Sequence, residues 1–98
     1  MDTTATIVRL RAASEAIRAR GATALYIFGS RARGDHRPDS DLDGYVDYDP
    51  GKRFSLIDLI AIEHLIEREL GIKADITTRR ALHPRLKDQI EREAIRVF

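Results

Sequence analysis

The sequence predicts an α+β fold in which helices pack on a small mixed β-sheet of three to four strands, in the order α-β-α-β-α-β-α. Three observations carry this expectation. One segment has a clear helical period, with Leu59, Ile62, Ile66 and Leu70 on one face and Glu63, Glu67 and Arg68 off it. Three short apolar segments, Thr23 to Phe28, Leu42 to Tyr48 and Ile72 to Thr77, have the length and composition of strands. The periodic helix lies between the second and third of them and is long enough to be the crossover that parallel neighbours require.

The remaining elements follow in chain order. Ile7, Leu10, Ala13 and Ile17 recur at three- and four-residue steps, so one opening helix is expected, capped by Asp2 or Thr3 and ended by Gly21. After the first strand, Gly29 and Gly34 bracket room for about one helical turn over Ser30 to Arg33. His36 to Ser40, with Pro38 inside it, reads as a loop, and Asp49-Pro50-Gly51 as a turn. Ser55 with Asp58 resembles a capping box for the long helix, and Gly71 sits where a left-handed C-terminal residue is expected. Pro84 is expected to open a last helix carrying Leu86, Ile90 and Ala94, before a strand-like tail from Ile95 to Phe98.

Size and composition bound the function. A chain of 98 residues is read as one domain, residues 1–98, because chains of this length bury only about 60 to 70% of their unfolded surface. Hydrophobic residues at 43% and charged residues at 34% exclude a disordered chain and a membrane span. The longest apolar run, Ala24 to Phe28, falls far short of the about 20 residues a bilayer needs, and the start lacks a signal-peptide pattern, so a cytoplasmic location is expected. With no cysteine, thiolate metal sites and cysteine nucleophiles are excluded, and any metal must be held by oxygen or imidazole. A net charge of +1 and no evident aromatic stacking series argue against direct nucleic-acid binding.

The acidic residues are unevenly spread, with Asp39, Asp41, Asp43, Asp47 and Asp49 close together after Arg31, Arg33 and Arg37. Asp41 and Asp43 are two apart on an expected strand, so both side chains leave one face. Ionised carboxylates that close repel unless a cation lies between them, and Mg²⁺ is a hard ion that takes one or two carboxylates with water and phosphate. Asp75 interrupts the third apolar strand; beside the second strand it would complete a trio able to hold two metals about 3.5 to 4 Å apart. Two Mg²⁺ against three carboxylates leave positive charge for an anionic substrate such as a triphosphate. Gly29-Ser30 supplies a tight exit from the first strand into a turn whose free N–H groups suit a phosphate.

These spacings have a family likeness. Gly29-Ser30, ten residues, then Asp41-Leu42-Asp43 resembles the G-S-x10-D-x-D signature of the DNA polymerase β-type nucleotidyltransferase superfamily. Within it, GSRARGDHRPDSDLDGYVDYDP, KADITT and LHPRLKDQIEREAIRVF resemble the minimal nucleotidyltransferase (MNT) antitoxins, over roughly residues 20 to 98. The resemblance implies a nucleotidyltransferase fold and particular roles. Asp41 and Asp43 would bridge the metals, Asp75 would be the third ligand and would help deprotonate the acceptor hydroxyl, and Gly29 and Ser30 would hold the phosphates of ATP. It further implies AMP transfer to a tyrosine of a HEPN-domain ribonuclease toxin, with which the chain would form a hetero-oligomer. The alternative within the same family is an antitoxin that masks the toxin by contact alone. Gly44 departs from the pattern, standing where the family has a bulky apolar residue.

Other residues carry less. Arg31 and Arg33 stand near the expected phosphate position; for these two and for Arg37, phosphate or partner contact and a solvated basic loop are equally open. His36, His64 and His83 share no metal-ligand spacing and are read as structural or surface residues. Asp47 and Asp49 are expected to lead into solvent. Because the catalytic core takes up nearly the whole chain, the acceptor is expected on a partner protein.

Overall fold

The three expected strands are present, and the C-terminal tail adds a fourth. In the computed structural model, which describes residues 1–98, β1 (Ala22–Phe28) pairs antiparallel with β2 (Leu42–Tyr48) on one side and with β4 (Ile95–Arg96) on the other. β2 pairs in parallel with β3 (Ala74–Thr78), which sets the strand order β3-β2-β1-β4. The helices are α1 (Thr3–Ala12), α2 (Ser14–Ala19), α3 (Ser30–Arg33), α4 (Leu56–Leu70) and α5 (Lys87–Glu93). None is long and apolar enough to cross a membrane.

Strand alternation separates two faces of the sheet. Leu25 and Ile27 of β1, Leu42 and Val46 of β2 and Ala74 and Ile76 of β3 enter one core with Leu10, Ile17, Ile62 and Ile66 of the helices. Each fully buried Leu or Ile contributes about 1.5 to 3 kcal/mol. The alternate positions, Tyr26 and Phe28 on β1, Asp43, Tyr45 and Asp47 on β2, and Asp75 on β3, fall on the opposite face. The catalytic candidates therefore sit on a sheet whose other side is fixed by packing.

α4 makes the parallel pairing possible, and both its ends are built as expected. Ser55 Oγ accepts from the Asp58 N–H at 3.3 Å, while Asp58 Oδ2 accepts from the Ser55 N–H at 3.0 Å. That backbone donor holds the Asp58 carboxyl below the usual carboxylate range. Gly71 ends the helix at φ 71°, in the left-handed region. Glu63 and Glu67 lie off the apolar stripe but are not idle. Their Oε2 atoms accept from the N–H groups of Ile76 and Ala74, each at 3.0 Å, and so satisfy donors on the edge strand β3.

Two helical expectations need correction. The opening helix is two helices, divided at Ala13, whose N–H turns back to Leu10 at 3.0 Å in a tighter bonding pattern. Leu10 and Ile17 are both fully buried, so the apolar period runs through the break without registering it. The last helix starts at Lys87 rather than Pro84; residues 84–86 form a preceding turn in which Leu86 and Lys87 both donate to the His83 carbonyl. Ala94 leaves the helix in extended conformation, since Ile95 already pairs with Ile27 of β1.

Gly44 has a packing reason. A Cβ there would lie 2.8 Å from the Tyr26 carbonyl oxygen and 3.1 Å from Ile76 Cδ1. The bulky residue usual at this position has no room between these strands. Gly44→Ala is expected to destabilise the fold by about 1 to 3 kcal/mol through overpacking, read as a lower urea midpoint with an unchanged slope.

Candidate active site

The strand register gathers the acidic residues. Asp43 of β2 is aligned with Asp75 of the parallel strand β3 and, on its other side, with Phe28, the last residue of β1. Adjacent strands lie about 4.8 Å apart, so Asp43 and Asp75 are direct neighbours on one face. Asp41 precedes β2 by one residue and is exposed, as is Asp75, whereas Asp43 is half-buried. Burial pushes the Asp43 carboxyl up from the usual range, and the charges of Asp75 and Asp41 push it further, while Arg33 opposes them. Asp43 thus lies within the fields of both other carboxylates.

They form an open row rather than a closed cage, since no three Asp, Glu or His side chains converge on a common point. Such a row fits a hard divalent cation, which takes one or two carboxylates and completes its sphere with water and phosphate. A cation there would offset both the burial of the Asp43 charge and its repulsion by Asp75 and Asp41.

Gly29 brings the second half of the site against the first. Its backbone, at φ 74° and ψ −157°, occupies a region essentially confined to glycine. A Cβ at this position would stand 2.6 Å from Asp43 Oδ2, so the turn and the half-buried carboxylate are in close contact. The Gly29 carbonyl accepts from the N–H groups of Ala32 and Arg33 at 3.1 and 3.0 Å, which locks the short helix α3. Gly29 holds the capping position, and Ser30 is the first helical residue beside it.

The two arginines of the turn part ways. Arg31 is only 3% exposed; its Nε donates to the Ser40 carbonyl at 2.9 Å and a terminal nitrogen to that of Pro38 at 3.3 Å. It is therefore a staple for the loop that delivers Asp41, and neither the phosphate contact nor the solvated charge that were the two readings open for it. Arg33 is exposed, pairs with Asp35 at 3.1 Å, and reaches Glu93 of α5 at 3.5 Å. Asp35, first by hydrogen bond and then by charge, raises the Arg33 pKa. Arg37 lies exposed in the loop, where its N–H donates to Ser40 Oγ.

A neighbouring network was not foreseen. Asp47, expected to face solvent, accepts two bonds from Arg79, at 2.8 and 3.0 Å, and Arg79 also pairs with Glu91 of α5. The Arg79 guanidinium lies 4.9 and 5.0 Å from the ring centroids of Tyr26 and Tyr45, which stack on each other at 4.8 Å. The bonds it donates to Asp47 raise the Arg79 pKa above the ordinary arginine value, so the guanidinium stays charged. Asp49 is exposed and only closes its own turn through Gly51. His36 Nε2 bonds the Met1 carbonyl at 2.8 Å, a structural contact, and His64 and His83 are on the surface.

A mixed sheet with this order, an acidic central strand and a glycine turn beside it has the architecture of a nucleotidyltransferase. The sequence pattern of the nucleotidyltransferase domain matches residues 10–97, and the chain belongs to that family. A Methanocaldococcus jannaschii protein named as a candidate protein adenylyltransferase is 42% identical over 72 residues, covering 74% of this chain and 75% of its own. The solved structure of a candidate minimal nucleotidyltransferase is 39% identical and superposes with a TM-score of 0.82, covering 97% of this chain and 95% of the other. A chain from a toxin–antitoxin crystal structure with AMP-PNP shares the fold, with a TM-score of 0.72 at 17% identity over 92% of this chain and 72% of that one.

The raised Asp43 pKa has a stability consequence. The folded state keeps this proton to higher pH than the unfolded chain, so between the two pKa values it binds more protons, and stability falls as pH rises through that window. In chelator, Asp43→Asn is expected to melt at a higher temperature than wild type at pH 7, with the difference vanishing below the ordinary carboxylate range. Equal melting curves at both pH values would show that the ionised Asp43 carboxylate costs the folded state nothing.

Proposed function

We propose that this nucleotidyltransferase is the antitoxin of a toxin–antitoxin pair, transferring AMP from ATP, with Mg²⁺, to a tyrosine hydroxyl of a HEPN ribonuclease toxin. The observation that carries the reading is the row Asp41, Asp43 and Asp75 lying against the Gly29 turn. The named relative supports protein adenylylation, and the sequence resemblance to MNT antitoxins supports the toxin as acceptor. The toxin–antitoxin neighbour with AMP-PNP is consistent with both, at the level of fold.

Each residue has a task in this reading. Gly29 and Ser30 seat the β- and γ-phosphates on backbone N–H and hydroxyl donors, and Arg33 adds exposed positive charge. Asp41 and Asp43, with Asp75, would hold two Mg²⁺ ions, and the chemistry these would supply is neutralisation of the negative charge on the reacting phosphate. Asp75 is exposed on the edge strand, where a hydroxyl on another protein can approach it. It accepts the proton as the acceptor oxygen bonds to the α-phosphorus and the bond to pyrophosphate breaks.

The test is transfer of label from α-labelled ATP to the cognate toxin in the presence of Mg²⁺. The toxin is expected to gain one or more adenylates by mass and to lose ribonuclease activity. An Asp41→Asn, Asp43→Asn double variant is expected to lose labelling by about a hundred-fold or more, in line with the several kcal/mol of charge stabilisation a metal supplies. If that variant still neutralised the toxin fully, masking by contact alone would replace the enzymatic reading.

A further inference from the structure

The Gly29 turn already carries an anion. Glu93, near the C-terminal end of α5 and 64 residues away in sequence, directs Oε1 at the Gly29 N–H, 3.3 Å away, and at Arg33 at 3.5 Å. These are the backbone donor and the side-chain cation that the nucleotide-binding reading assigns to phosphate. We propose that Glu93 is an internal stand-in for the phosphate, which the triphosphate must displace in order to bind. The proposal rests on the nucleotide-binding reading of the turn and adds a residue that sets the affinity of that site.

The contacts suit a displaceable group. A carboxylate oxygen and a phosphate oxygen are equivalent acceptors for an N–H and a guanidinium. At 3.3 and 3.5 Å both contacts lie beyond the usual 2.7 to 3.2 Å of an N–H···O bond and are correspondingly weak. The backbone of α5 is not free to leave with Glu93. Ile95, two residues on, pairs with Ile27, and Val97 donates to the Leu25 carbonyl at 2.8 Å. Glu91, two residues earlier, is tied to Arg79. What moves is the Glu93 side chain, by rotation away from the turn. With Asp43 in contact with Gly29, the docked Glu93 adds negative charge beside the carboxylate row, and its rotation away removes that charge. The exchange is therefore favourable for a ligand that brings more charge than the one it replaces, together with its own cation, and unfavourable for a weakly charged anion.

Titration calorimetry of the whole protein with Mg-ATP, Mg-tripolyphosphate and adenosine tests this. Glu93→Gln keeps the shape of the side chain and removes its charge. It is expected to tighten Mg-ATP and Mg-tripolyphosphate binding by about three- to five-fold, the scale of a partly exposed ion pair, with adenosine binding unchanged. Glu93→Ala, which removes the acceptor altogether, is expected to do the same, and the melting temperatures of both variants report that the fold is kept. Unchanged or weaker triphosphate binding in folded Glu93→Gln would overturn the proposal and make Glu93 a support for the turn. Tightening that extends equally to adenosine would also overturn it, because no phosphate is then involved. A wild-type protein that binds no Mg-ATP would instead contradict the nucleotide-binding reading itself.

Discussion

The site depends on the parallel pairing of β2 with β3. Only that register sets Asp75 beside Asp43, and only the crossover through α4 allows two consecutive strands to run in the same direction. The buried stripe Ile62, Ile66 and Leu70 holds the crossover on the sheet. Half-burying Asp43 there, beside two like charges, works against folding, and the raised Asp43 pKa reflects burial first and the neighbouring carboxylates second. The core on the opposite face supplies the compensation, so a locally unfavourable arrangement persists because packing elsewhere determines it.

Much of this was legible in the sequence because periodicity reports burial. The long helix, its capping box and its terminal glycine were readable to within a residue or two, and so were the three strands. The break at Ala13 was not, because Leu10 and Ile17 stay in phase across it and no Gly or Pro marks it. The late start of α5 was hidden for a related reason: a turn after Pro84 and a helical turn place apolar residues at similar spacings.

Within the site, short-range pattern located the carboxylates and the Gly29 turn, while long-range contacts escaped it. Arg31 and Arg33 are two apart and chemically identical, yet one is buried against two carbonyls and the other is exposed. That difference comes from the path of the loop, which composition does not reveal. Glu93 and Arg79 are further examples. Each reads as a charged residue in a charged stretch, and each acquires its role from partners 64 and 32 residues distant. An Asp at position 47 among alternating acids gave no sign of being paired, because its partner lies beyond the third strand. Gly44, by contrast, was noticeable as a departure, and its cause is visible once β1 and Ile76 are placed against it.

The two glutamates of α4 that accept from Ala74 and Ile76 also shape how another protein can meet this molecule. Naked edge strands recruit foreign strands and seed intermolecular sheets. Here two N–H donors on the outer side of β3 are satisfied from within the molecule, on either side of Asp75 in the sequence. A foreign strand laid along this edge would find those two donors already taken, so the glutamates that fasten the crossover helix to the sheet also guard its border.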